Sequence, residues 1–226
     1  MTAKPIKKSD QKRSWNKKTR ISKYAVETRS KGKRFLIVCE GQTEEWYFKS
    51  FPILTATVDA KGIGRTKTAL VEYAKRLATQ NTYDEVWCVF DMDINYEDIQ
   101  KQDFNNAIFQ IQQGSNKNFK VAYSNDSFEL WFLIHYQIIE HQQHRTYFYK
   151  KLSDLWDINY ENDGKKLAFC KTIYERLQND IDANQENAII IAKNLFETVQ
   201  HLNPHEQNPV TKVFELVEEL NRYLRN

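Results

Sequence analysis

Cysteine, proline and glycine are scarce in this chain, at three, four and six of 226 residues. Cys39, Cys88 and Cys170 are odd in number, far apart and set among apolar neighbours. They exclude a disulfide framework and lack metal-ligand spacing, so buried thiols in a reducing, cytoplasmic setting are expected. Few glycines and prolines beside 13% aromatic residues exclude low-complexity disorder as the general state. No apolar run approaches the roughly 20 residues of a membrane span, and no apolar segment follows the basic start, so neither a transmembrane helix nor a signal peptide is expected. The five histidines show no pairing suited to zinc.

What is present is charge, unevenly spread. Residues 1–34 carry thirteen Lys or Arg against two acids, a net +11, while the rest carries −8, giving +3 in all. A basic arm is attached to an acidic body. Such an arm suits a phosphate backbone, and Lys12, Arg13, Lys17, Lys18 and Arg20 are its candidate contacts; a solvated tail has the same composition.

Residues 1–33 lack apolar periodicity and form the arm. Phe35 to Cys39 is a short apolar run closed by Glu40-Gly41, as a buried strand would be. A helix is expected over 43–51 with Thr43 as cap, a short strand over 55–59, and a loop over Lys61 to Thr66 (KGIGRT). That loop could cradle a phosphate with its amides, with Lys61, Arg65 and Lys67 adding charge; a plain glycine turn has the same residues. A helix over 67–79 follows, then a strand over 85–90 ending in Asp91-Met92-Asp93, a helix over 96–113 and a strand over 119–123. Ser127 would cap an apolar helix over 128–139. Beyond residue 140 only helical periodicity remains, at about 144–155, 165–178, 185–202 and 211–224. Strands alternating with helices imply an α/β fold, a mainly parallel four-stranded sheet with flanking helices over 34–140 and a helical cover over 141–226.

Open sheets of this kind bind ligands beyond the carboxyl ends of their strands. Glu40 and Glu44, Asp91 and Asp93, and Glu129, with Asp126 nearby, fall at such ends. In extended backbone Asp91 and Asp93 would face one side. Carboxylates about 4 Å apart repel by roughly 4 kcal/mol per pair even at an effective dielectric of 20. Such a cluster needs a cation, a proton or a nearby lysine. Oxygen donors without His or Cys suit Mg²⁺ or Mn²⁺, the usual machinery of phosphoryl transfer. His135 reads as a core histidine bonded to a backbone carbonyl, and Trp46, Phe48, Trp131 and Phe132 as core.

A strand with Glu-Gly followed by a strand with Asp-x-Asp, here VCEG (38–41) and VFDMD (89–93), resembles the Toprim domain. The added Glu of EGQTE is similar to the OLD-type nuclease branch. FLIVCEGQTEEWYF (35–48), VFDMD, NDSFELWFLIHY (125–136) and NPVTKVFELVEEL (208–220) together resemble the RloB-like proteins. This resemblance implies a Toprim-like fold and a metal-dependent endonuclease site using Mg²⁺ or Mn²⁺. Glu40, Glu44, Asp91 and Asp93 would be catalytic and, with Glu129, metal-holding. Lys166, chosen over Lys165 and Lys171, would be the cationic helper. The family also implies a role in bacterial antiviral defence by abortive infection, beside an ATPase partner, with nucleic acid as target; a homo-oligomer is compatible. The competing reading is a non-cleaving sensor subunit of the same fold that binds nucleic acid or nucleotide.

Overall fold

A computed structural model describes residues 32–53, 56–64, 66–93, 98–114, 116 and 118–224. The arm residues Lys12, Arg13, Lys17, Lys18 and Arg20, and also Arg65, lie outside the described residues. The chain divides into Met1–Gly32 and Lys33–Asn226, and the sheet with its helices belongs to the second unit.

Five strands form one sheet: β1 (Lys33–Cys39), β2 (Ala56–Gly62), β3 (Glu85–Asp91), β4 (Phe119–Asn125) and β5 (Val210–Thr211). Their spatial order is β2-β1-β3-β4-β5, with only the β4–β5 pair antiparallel. The α/β class and the mainly parallel sheet are as expected. The fifth strand is new: it takes in the first residue of the expected last helix, Thr211, which pairs with the end of β4, where Ser124 and Thr211 hydroxyls meet at 2.9 Å.

The apolar runs of β1 and β3 are continuous because both faces are covered. On one face Phe35, Ile37, Cys39, Trp87 and Val89 pack into a large core. It is shared with α1 (Gln42–Lys49), α4 (Glu129–Leu133), α5 (Arg145–Trp156), α7 (Ile173–Asn179), α8 (Gln185–Val199) and α9 (Val213–Asn221). On the other, Leu36, Val38, Val86, Cys88 and Phe90 meet α2 (Lys67–Gln80) and α3 (Asp98–Gln112). Buried positions 104, 107, 108 and 111 of α3 follow the spacing of one helix face. Truncating Phe104, fully buried, would cost about 3–5 kcal/mol. The helices after residue 140 thus share the sheet's own core.

Several boundaries differ from expectation. The second strand runs on to Gly62, pairing Val38 with Lys61 and Cys39 with Gly62. An edge strand tolerates a lysine because one side faces water. Helix α1 starts at Gln42 with Gly41 as cap residue; Thr43 is buried, its hydroxyl 3.7 Å from Cys170 Sγ. Helix α4 ends at Leu133, although Ile134, His135 and Ile139 beyond it stay buried. The Ser127 hydroxyl is buried without a partner and does not cap it. Region 165–178 splits into α6 (Leu167–Cys170) and α7, preceded by a π-helical turn at Tyr160–Gly164. Phe48, Trp131 and Phe132 are core; Trp46 is only half-buried, between Lys49 and Lys171 at 4.9 and 4.4 Å from its ring. All three cysteines are free and buried.

Candidate functional site

The carboxyl ends of β1 and β3 are adjacent, and the sheet continues one residue past β1: the Glu40 amide donates to the Val89 carbonyl at 2.9 Å. Glu40 is thereby fixed beside β3. Its Oε2 accepts from the Asp91 amide at 3.4 Å and its Oε1 from Lys67 Nζ at 3.0 Å. Burial raises the Glu40 carboxyl above its ordinary value; Lys67 opposes the shift and Asp93 adds to it.

Gly41 has extended backbone, with φ −117°, so the turn does not need its conformational freedom. It needs the missing side chain: a Cβ there would lie 2.7 Å from Glu44 Oε2. The glycine lets the Glu44 carboxylate fold back over the start of its own helix. Glu44 is buried. Its carboxyl is pushed up to about 8, first by burial, with Glu129 and Glu40 adding repulsion and Lys165 relieving it.

Asp91 closes β3 and is also buried. Burial raises its carboxyl well above the usual range, and Glu44, Asp93, Glu129 and Glu40 all push the same way. Its Oδ1 is buried with no hydrogen-bond partner, which ordinarily costs about 1–3 kcal/mol, or more for a charged group. Beyond Asp91 the strand stops, and Asp93 takes the left-handed φ of 54°, a conformation in which Asp is several-fold enriched. The extended geometry expected for the Asp-x-Asp pair therefore does not hold. Asp93 is bonded by the Arg145 guanidinium and lies 3.5 Å from Lys67 Nζ.

Glu129, in the first turn of α4, completes the buried group. Its Oε1 accepts from the Tyr160 hydroxyl at 3.2 Å and lies 3.5 Å from Lys165 Nζ. Burial by itself would lower the Lys165 ammonium; Glu129 and Tyr149 outweigh it and hold the ammonium above its ordinary value. Gly164 shapes this corner, since a Cβ there would lie 2.3 Å from the Tyr160 ring. Lys166, the residue chosen from the sequence, points elsewhere: it is 68% exposed and pairs with Asp163 at 2.6 Å. Lys165 is the neighbour that reaches the acids, and Lys171 lies over Trp46.

The expected phosphate cradle at 61–66 is not formed by the described residues. The Gly62 amide binds Glu45, Ile63 binds the Cys39 carbonyl and Gly64 binds the Glu40 carbonyl. Lys61 lies 3.8 Å from Asp59 on the sheet edge. Asn125 is spent on the backbone at His205, and Asp126 accepts from the Arg145 amide at 2.7 Å. His135 binds the Trp131 carbonyl at 2.8 Å, as a core histidine.

The acids thus form two groups. Glu40 and Asp93 carry Lys67 and Arg145 as counter-ions. Glu44, Asp91 and Glu129 are more deeply buried and have Lys165 at one side. The donor chemistry suits a hard divalent ion: oxygens only, mutually repelling, with one buried oxygen unpartnered. The ligand ring is not closed. Among the described residues no three His, Cys, Asp or Glu side chains converge as a metal-holding set. Sequence reasoning missed Arg145; it weighed Lys67 for the phosphate loop and Lys165 as a cationic helper, but their pairing with the acids has no local signal.

Fold and site define an α/β protein with a mainly parallel central sheet and a crowded group of carboxylates at its carboxyl edge. The chain belongs to the RloB-like protein family, whose pattern matches residues 35–220. No curated protein and no solved structure matches it. Among the described residues no helix is long and apolar enough to cross a membrane.

Proposed function

We propose that this protein is a Mg²⁺- or Mn²⁺-dependent nuclease of an anti-phage system, working beside an ATPase. The observation that carries this reading is the unpartnered, buried Asp91 Oδ1 among four other acids. Asp91, Glu40 and Glu44 would hold the ion, with Glu129 and Asp93 at its margins. A divalent ion supplies the positive charge that activates water and offsets charge on the leaving oxygen. The chain's own contribution is placement: Gly41 keeps Glu44 folded inward, and the Glu40–Asp91 hydrogen bond fixes one carboxylate against the other strand. Lys165, bonded to Tyr149 at 2.7 Å and 3.5 Å from Glu129, would hold developing negative charge. The basic arm would grip the backbone without reading sequence, making binding fall steeply with salt.

The test is incubation of labelled DNA and RNA with the protein and Mg²⁺, Mn²⁺ or EDTA, alone and with the partner ATPase. Metal-dependent cleavage should fall by roughly 10²-fold or more in Asp91→Ala and Glu40→Ala. Cleavage that survives both substitutions sinks the assignment. One observation favours a second reading, a non-cleaving sensor: Lys67 and Arg145 already neutralise Glu40 and Asp93. Nucleic-acid binding without cleavage, under every metal and with the partner present, would select it.

A further inference from the structure

Beside the acids lies a cleft of about 550 Å³, lined by Glu40, Asp93, Lys67, Arg145, Thr66 and Gln100 among others. Its size falls within the roughly 300–1,000 Å³ of small-molecule sites. We propose that Lys67 and Arg145 are ligands for a nucleic-acid phosphate in this cleft, and that Glu40 and Asp93 hold them in the phosphate's place when no strand is bound. Strand binding and metal binding would then assist one another. This inference rests on the metal-dependent reading of the site.

Both cations are anchored by their backbone rather than by the acids they neutralise. The Lys67 and Thr68 amides donate to Asp103 of α3, at 2.8 and 3.2 Å. The start of α2 is therefore capped already, and what it offers a ligand is the Lys67 ammonium. The Arg145 amide is fixed by Asp126 at 2.7 Å, and its guanidinium lies 3.8 Å from the other Asp126 oxygen. Each side chain can exchange its carboxylate for another anion without unfolding its helix. Gln100 adds an independent sign of a ligand: its Oε1, in the lining of the same cleft, is buried without a partner and would accept from a base amino group or sugar hydroxyl.

Charge accounting gives the coupling. Glu40 and Asp93 are held by Lys67 and Arg145, so a divalent ion arriving alone must compete with these cations for the acids. A phosphodiester arriving with it draws off the cations that compete for the acids. Linkage then requires each ligand to tighten the other equally.

The experiment measures Mn²⁺ binding by calorimetry, with and without a phosphorothioate dodecathymidylate that resists cleavage. In the wild type the oligonucleotide should tighten Mn²⁺ at least about fivefold, the lower end of ordinary coupling. Lys67→Met and Arg145→Met should each bind Mn²⁺ more tightly without it, by about tenfold, because a competing charge within contact distance is gone. Both should show reduced coupling, while Lys67→Arg should keep it. Mn²⁺ bound equally well, or less well, by both Met variants overturns the counter-ion inference alone. No Mn²⁺ binding by any variant overturns the metal reading and this inference with it. Thermal melts establish that each variant is folded.

Discussion

Glu44→Gln should make the chelator-treated protein more stable, by an amount that depends on pH in a stated direction. Burial and the neighbouring acids push the Glu44 carboxyl from an ordinary 4.5 up to about 8. Between those values the folded protein binds more protons than the unfolded chain, so Glu44's contribution becomes less favourable as pH rises and levels off above 8. At pH 7 the carboxyl is held charged or protonated against a gap of two and a half pH units. At about 1.36 kcal/mol each this sets an upper limit of about 3 kcal/mol. Glutamine keeps the shape and an acceptor oxygen while removing the charge. Denaturant titrations in EDTA should show the variant more stable by up to about 3 kcal/mol at pH 7, roughly 6–12 °C in Tm, and by under about 1 kcal/mol at pH 5. Adding Mn²⁺ should reverse the order. Wild-type protein would gain about 2.7 kcal/mol at a hundredfold excess over Kd, and the variant much less. A variant less stable than wild type at every pH, or a gain that ignores pH, would refute the claim that Glu44 is crowded.

Two further outcomes come from the same geometry. Burial lowers the His135 imidazole to about 4, so the unfolded chain takes the proton first. Its contribution is intact above about 6.5 and is lost as pH falls toward 4, by up to about 3 kcal/mol; His135→Asn should flatten this acid limb in denaturant titrations, and an unchanged limb would assign it to other groups. Lys165→Met should lower nuclease turnover by roughly 10²-fold, whereas Lys166→Met, on an exposed side chain, should alter stability by less than about 0.5 kcal/mol and leave turnover alone; equal effects in a side-by-side rate assay would count against the distinction.

How much of this could be read from the chain varies with what burial does to a pattern. β1 and β3 were legible because a strand covered on both faces is apolar throughout and stops where the acids begin. β2 was cut short at Asp59 because an edge strand carries Lys61 and ends in Gly62, both of which look like loop. The run from Phe128 to Ile139 looks helical, but buried apolar residues do not distinguish a helix from a packed irregular segment. β5 is too short for any period. At the site, the five acids were visible as strand and helix ends. Their counter-ions were not, since Lys67 lies 27 positions from Glu40 and Arg145 52 from Asp93. The choice between Lys165 and Lys166 turns on where the π-helical turn ends, at Gly164 packed against the Tyr160 ring.

The bland account of the acid cluster is that strand ends often carry carboxylates. The opposite end of the same strand answers it. Glu85 opens β3 and, like Asp91, is buried, though less deeply. There the chain supplies everything a buried carboxylate needs. Lys33 and Lys120 each donate at 2.7 Å and the Trp87 indole at 2.9 Å. Burial would raise the Glu85 carboxyl, and these hydrogen bonds outweigh it and hold it below its ordinary value. Lys33 also neutralises Glu219. At the far end of the strand the arrangement is inverted: Asp91 faces four acids, its Oδ1 has no donor, and its carboxyl is driven upward. A sheet that fully compensates one buried acid and leaves the next only partly compensated, by the more distant Lys67 and Lys165, has not run out of means to do so. The deficit sits at the carboxyl edge of the sheet, and a bound cation would offset it. Supplying that cation should therefore stabilise the fold and permit chemistry together, which is why Mn²⁺ binding and Mn²⁺-dependent stability are stricter tests of the site than cleavage.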